Sequence, residues 1–209
     1  CQGKTFFLAI HHCFQETLDS FSHFRELLGT EMKNLRLYGY GLKGMMLSMI
    51  ETACRIIGKD GKTGCIEEII NIGQELLEKP VELLEGSKEV LTQLYGKYKL
   101  VLATKGDLFD QQRKIAASGL QEYFCHIEIM SDKKDADYRK LLGNIGCSPE
   151  NFLMIGNSIK SDILPVLELG GYAVHIPHHV TWAYEQYEGE IKHPRYLSLN
   201  TIGEVPGYL

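Results

Sequence analysis

From residue 98 onward, short apolar runs alternate with segments of helical period, and this alternation constrains the fold more than any other feature. Tyr98 to Ala103, Cys125 to Met130, Phe152 to Ile155 and Tyr172 to Ile176 have the length and apolarity of buried strands. Helical patterns lie before and between them: Leu83 to Tyr95, a stretch through Ile115 and Ala116 to Gly119, Tyr138 to Ile145, and Ile163 to Leu169. A strand that returns through a helix pairs in parallel with its predecessor, and the crossover is right-handed. The chain is therefore expected to be α/β, a doubly wound parallel sheet of Rossmann type.

Residues 11–79 show a different pattern. Phe14, Leu18, Phe21 and Leu28 recur at helical spacing, as do Met46, Met49, Ile50, Ala53 and Ile57, and then Ile66, Ile69, Ile70, Gly73, Leu76 and Leu77. Glycines at 39, 41 and 44, and the stretch Gly58-Lys59-Asp60-Gly61, fall between these runs. The expected organisation is a small helical domain over 11–79, ended by Pro80, and an α/β core over 80–209.

Composition excludes several classes. With 44% hydrophobic and 23% charged residues, the 209-residue chain has an ordinary globular make-up. A net charge of −5 and the lack of a Lys/Arg cluster argue against nucleic acid as a partner. No apolar run reaches membrane-spanning length, and Phe6 to Ile10 is too short for a signal-peptide core. Cys1, Cys13, Cys54, Cys65, Cys125 and Cys147 form no C-x-x-C pair and read as reduced, buried thiols of a cytoplasmic protein.

Chemistry concentrates at three strand ends, the edge where open α/β sheets bind ligands. Thr104, Lys105 and Gly106 end the first strand; a hydroxyl and backbone N–H groups at such a turn can hold an anion, although Thr also caps helices well. Lys133 follows the second strand and could neutralise a phosphoryl group, although most lysines are simply solvated. Asn157, Ser158 and Asp162 follow the third; their oxygens suit a hard cation such as Mg2+, although Asp162 would also suit a helix start.

In this order, "LVLATKG", "MSDKKDADY" and "MIGNSIKSD" resemble the second, third and fourth motifs of the haloacid dehalogenase-like hydrolase superfamily. The resemblance covers residues 80–180, and the preceding helical block sits where such enzymes carry a helical cap. It implies a Mg2+-dependent phosphatase acting on a small phosphorylated metabolite through an aspartyl-phosphate intermediate. Thr104, with the backbone of Lys105 and Gly106, would hold phosphoryl oxygens. Lys133 would offset charge on phosphate and nucleophile. Asp162, helped by Asn157 and Ser158, would place the metal.

Two departures from that pattern stand out. Asn157 occupies a position where the family usually has an acid. The first motif, an apolar strand running into Asp-x-Asp, has no counterpart: Phe6 to Ile10 could be its strand, but His11-His12-Cys13 follows. The one Asp-x-Asp, Asp135-Ala136-Asp137, opens a helix and reads as a cap. The chain also begins with Cys1 rather than Met, so the nucleophile is expected upstream, or else lost. The alternatives are a non-catalytic relative or fragment that binds without turnover and, among enzymes, a metal-free 2-haloacid dehalogenase. No motif encodes the substrate's identity or the oligomeric state.

Other patterns have plainer readings. "GYGLKG" (Gly39 to Gly44) matches a nucleotide-loop spacing, and "NLRLY" before it could be a strand, but helices follow where a βαβ unit is needed. It is expected to be a flexible joint. Lys43 and the methionines at 45, 46 and 49 could face a cleft, with core packing the safer reading for the methionines. His175, His178 and His179 lack a completing acid or Cys for a metal set. The loop beyond them carries Trp182, Tyr184 and Tyr187, which could shape substrate access or pack on the core.

Overall fold

The computed structural model describes residues 20–58, 64–178 and 185–209. The chain divides into two compact units, one of residues 1–80 with 106–112 and the other of residues 81–105 with 113–209.

The second unit is built on parallel strands. β1 (Val101–Lys105) pairs with β2 (His126–Met130), with Thr104 opposite Ile129. β3 (Leu153–Gly156) pairs with β4 (Tyr172–His175), which pairs with β5 (Tyr196–Ser198). All of these pairings are parallel. Side chains alternate across β3 as the pleat demands. Met154 packs with Met130, Tyr138, Leu141 and Val166, and this cluster also receives Val101 and Ala103 of β1. Leu153 and Ile155 pack on the other side with Val174, Leu199 and Val205. Both faces of β3 are covered, so the unit is a doubly wound α/β layer.

The helices close on the strands with small departures from the sequence pattern. α4 (Ser87–Leu94) starts later than the apolar residues Leu83 and Leu84 suggest. Gly86, at φ 77°, takes a left-handed turn just before it, and Leu83 and Leu84 lie exposed. α5 spans Leu108–Ser118 and α6 spans Asp135–Ile145, the latter closed by left-handed Gly146. The helix expected over Ile163 to Leu169 is α7 (Leu164–Glu168), and a π-type turn, Ile159–Ile163, that the pattern did not show leads into it. β5 and a C-terminal 3-10 segment, Ile202–Tyr208, were not legible as elements: β5 has three residues and follows Pro194 closely.

The helical unit contains α1 (Ser20–Tyr38), α2 (Leu42–Ile57) and α3 (Gly64–Glu78). "NLRLY" lies inside α1, not in a strand. Leu27, Met49, Ala53 and Ile69 form the core. Met46 lies against Gly73, where a Cβ would collide with its thioether. The methionine run therefore packs helix on helix, at least for Met46 and Met49. A polar seam joins α1 to α2: the Asn34 amide donates to Ser48 Oγ (3.2 Å) and Glu51 Oε2 (2.7 Å). Gly39 and Gly41 have positive φ and make the joint between these helices. In the same unit, Asp107 Oδ1 accepts the Asp110 N–H (2.9 Å) and the Lys43 ammonium (3.0 Å), capping the first turn of α5. Cys54 and Cys125 are exposed, contrary to the buried thiols expected, and Cys65 and Cys147 are half-buried; all four are free.

Candidate functional site

β1, β2 and β3 end in the three stretches singled out above. Lys133 follows β2 and reaches the turn after β3, where its Nζ donates to Asp162 Oδ1 at 2.6 Å. Both side chains are buried, at 9% and 6% exposure. The other Asp162 oxygen, Oδ2, accepts the Ser158 backbone N–H at 3.0 Å. The carboxylate also lies over Gly156, where any Cβ would overlap it, so glycine is required at the end of β3. A buried ion pair is poor evidence of stabilisation, because desolvation offsets much of the attraction. Lys133 follows a strand of the two-stranded sheet and Asp162 one of the three-stranded sheet, and such strand ends are where α/β layers bind ligands.

Beside this pair lies a second charged cluster, which the sequence did not reveal. Lys105 Nζ, at the end of β1, donates to Glu185 Oε1 (2.7 Å) and to Ser161 Oγ (2.9 Å). Ser158 Oγ makes a short hydrogen bond to Glu185 Oε2, and Ser161 Oγ lies 2.9 and 2.8 Å from the two Glu185 oxygens. Ser158 Oγ also accepts the Ser161 N–H at 3.0 Å, which closes the turn. Burial alone would raise the Glu185 carboxyl, but the hydrogen bonds from Lys105, Ser158 and Ser161, with the Lys105 charge, hold it below the usual carboxylate range. The segment carrying Glu185 stands out in sequence for its aromatic residues, and one acid among several carries no distinguishing signal.

Tyr138, at 0% exposure, supports the turn from below: its hydroxyl donates to Ser161 O at 3.0 Å. Burial first, and then the nearby Asp162 charge, push its phenol well above the usual range. Asp132 Oδ1 accepts the Lys133 N–H (2.9 Å), and Oδ2 pairs with Lys134 (2.8 Å).

The remaining candidates fall as follows. Thr104 is half-buried on β1, and Gly106 follows Lys105 at φ 149°. Asn157 is exposed, and its backbone carbonyl faces His175 Nε2 at 3.2 Å. Asp137 Oδ2 accepts the Lys134 N–H (3.1 Å), and Asp135 lies 3.9 Å from Arg139, so the Asp-x-Asp opens α6 as a cap. Tyr187 lies against Gly189. His11, His12, Cys13, His179, Trp182 and Tyr184 lie outside the described residues.

The donor set can be tested against a hard cation. Asp162 and Ser158 present oxygens, as Mg2+ prefers, and Gly156 leaves room for the carboxylate. Among the described residues, no group of three or more His, Cys, Asp or Glu converges to enclose a metal. A cation here would therefore draw most of its ligands from water and substrate, a coordination typical of Mg2+.

Residues 4–170 match the family described as haloacid dehalogenase-like hydrolase. Over 93 residues the chain is 30% identical to N-acylneuraminate-9-phosphatase of Rattus norvegicus, which is 42% of this chain and 38% of that protein. The chain thus spans well under half the length of this curated relative in the match. A haloacid dehalogenase-like family hydrolase from Xanthomonas campestris superposes with a TM-score of 0.87 at 35% identity, over 99% of this chain and 82% of that one. The putative HAD-hydrolase YfnB of Bacillus subtilis, solved bound to magnesium, shares the fold at a TM-score of 0.61 and 16% identity, covering 96% of this chain and 89% of that one.

Proposed function

This chain belongs to the haloacid dehalogenase-like hydrolases, and from that premise we propose that the protein is a Mg2+-dependent phosphatase of a small phosphorylated metabolite, working through an aspartyl-phosphate. The observation that carries the reading is the buried Lys133–Asp162 pair at the strand ends, 2.6 Å apart. A phosphate monoester brings two negative charges, and its transfer is catalysed chiefly by preorganised positive charge and positioning.

Thr104 donates its hydroxyl to a phosphoryl oxygen, and the backbone N–H groups of Lys105 and Gly106 complete an anion-binding turn. Lys133 offsets the charge that collects between phosphate and nucleophile. Asp162, with Ser158 and Asn157, would hold the cation, which would supply charge to neutralise and orient the phosphoryl group. Asp162 is engaged by Lys133 and the Ser158 N–H, and Asp137 caps α6, so neither is suited to be the nucleophile. The reading therefore requires another carboxylate as nucleophile. The phosphatase name of the rat relative supports phosphoryl transfer, with an alcohol leaving, over halide displacement and makes 9-phosphorylated acylneuraminates the first compounds to try.

The test is phosphate release by the full-length protein from a panel of small phosphate esters, with and without Mg2+. Lys133→Ala and Asp162→Asn should each lower kcat/KM at least about a hundredfold, the scale for removing one preorganised group. Wild-type rates in either variant would refute the assignment of the site.

A further inference from the structure

We infer that Glu185 is a positioning residue of this site, holding the Lys105 side chain and the Ser158–Asp162 turn in fixed relation. Glu185 is distant in sequence from all of the strand-end motifs, yet its carboxylate meets two of them. Lys105 Nζ is 2.7 Å from Oε1, and the hydroxyls of Ser158 and Ser161 donate to the same carboxylate. The Lys105 and Glu185 side chains are 13% and 12% exposed, so this is not a solvated surface pair. A carboxylate this far from water needs donors, and here one ammonium and two hydroxyls converge on it.

The contacts continue into the proposed phosphate and metal positions. Lys105 directly follows Thr104 in the turn proposed to bind the phosphate, so holding its side chain restrains that turn. Ser158 gives its proton to Glu185, accepts the Ser161 N–H, and donates its own backbone N–H to Asp162. Its hydroxyl retains one lone pair, so Glu185 determines which way that lone pair points. An unbroken chain then runs from Lys105 through Glu185 and Ser158 to Asp162 and Lys133. The Lys105 ammonium is thereby the counter-ion of Glu185, and its contribution to phosphate binding passes through the backbone.

The structural part stands on these contacts alone; the kinetic part rests on the phosphatase reading. The test compares Glu185→Gln, Lys105→Met and the double variant with wild type in the full-length protein. Glu185→Gln keeps an oxygen for the hydroxyls and removes the charge facing Lys105. Two readouts are taken. In amide NMR spectra, Ser158, Ser161 and Asp162 should shift in both single variants. In steady-state kinetics, Glu185→Gln should lower kcat by about tenfold or more, the scale for a group that orients a site from behind, with KM altered less. Adding Lys105→Met should cost less in Glu185→Gln than in wild type, since the two share one interaction. Unmoved amides at 158, 161 and 162, or an unchanged kcat in folded Glu185→Gln, would overturn the inference. A wild type with no turnover on any phosphate ester overturns the phosphatase reading alone, and the amide shifts then decide for or against Glu185.

Discussion

At the residue scale, the end of β3 is shaped by what is absent as much as by what is present. Gly156 leaves the space that the Asp162 carboxylate fills. Gly156→Ala should push that carboxylate off Lys133 and the Ser158 N–H, and kcat/KM should fall by at least about tenfold while the protein stays folded. Circular dichroism with kinetics checks this, and a fully active Gly156→Ala would show that Asp162 need not sit there. Asn157 makes the opposite point. It stands exposed where the family usually has an acid, and an amide brings no charge to a cation. Asn157→Asp should lower the Mg2+ concentration needed for half-maximal activity. An unchanged or raised requirement would mean that residue 157 does not face the metal.

At the element scale, the site rests on a π-type turn and the start of α6. Tyr138 on α6 is fully buried, and its hydroxyl is bonded to Ser161 O in that turn. Tyr138→Phe leaves that buried carbonyl short of a donor and should cost about 1–3 kcal/mol in denaturant unfolding. No loss would imply that water or another donor replaces the phenol. Asp107 caps α5, accepting the Asp110 N–H and pairing with Lys43. The backbone N–H of Asp110 first, and then Lys43, hold its carboxyl below the usual range. A carboxyl lowered on folding stabilises fully above the unfolded value and loses that stabilisation as pH falls through the folded one. Asp107→Ala should therefore cost about 1 kcal/mol at neutral pH, and the gap from wild type should close on acidification. A gap that persists at acid pH would assign the effect to packing instead of the carboxylate.

At the scale of the whole molecule, the α/β architecture was legible because strand-length apolar runs between helical periods leave few alternatives. The strand ends were legible for a related reason: a hydroxyl, a lysine and an acid at the ends of buried runs need partners. Lys133 and Asp162, far apart in sequence, do meet at 2.6 Å. Glu185 was hidden because it lies outside the periodic runs of the sequence, and without a period its destination could not be read. The late start of α4 was hidden because Leu83 and Leu84 look like helix-face residues until the left-handed Gly86 is seen. β5 was hidden by its brevity: its three residues pair with β4 through backbone groups that leave little trace in the side chains.

Phosphoryl transfer through a carboxylate leaves an intermediate that can be trapped. The full-length protein is mixed briefly with a radiolabelled phosphate ester and Mg2+, quenched in acid, and exposed to hydroxylamine. Label should stay with the protein in acid and leave with hydroxylamine, as an acyl phosphate does, and labelling should be weaker in Asp162→Asn. Phosphate release without any protein-bound label, or halide release from a 2-haloacid without Mg2+ in place of phosphate release, would contradict it.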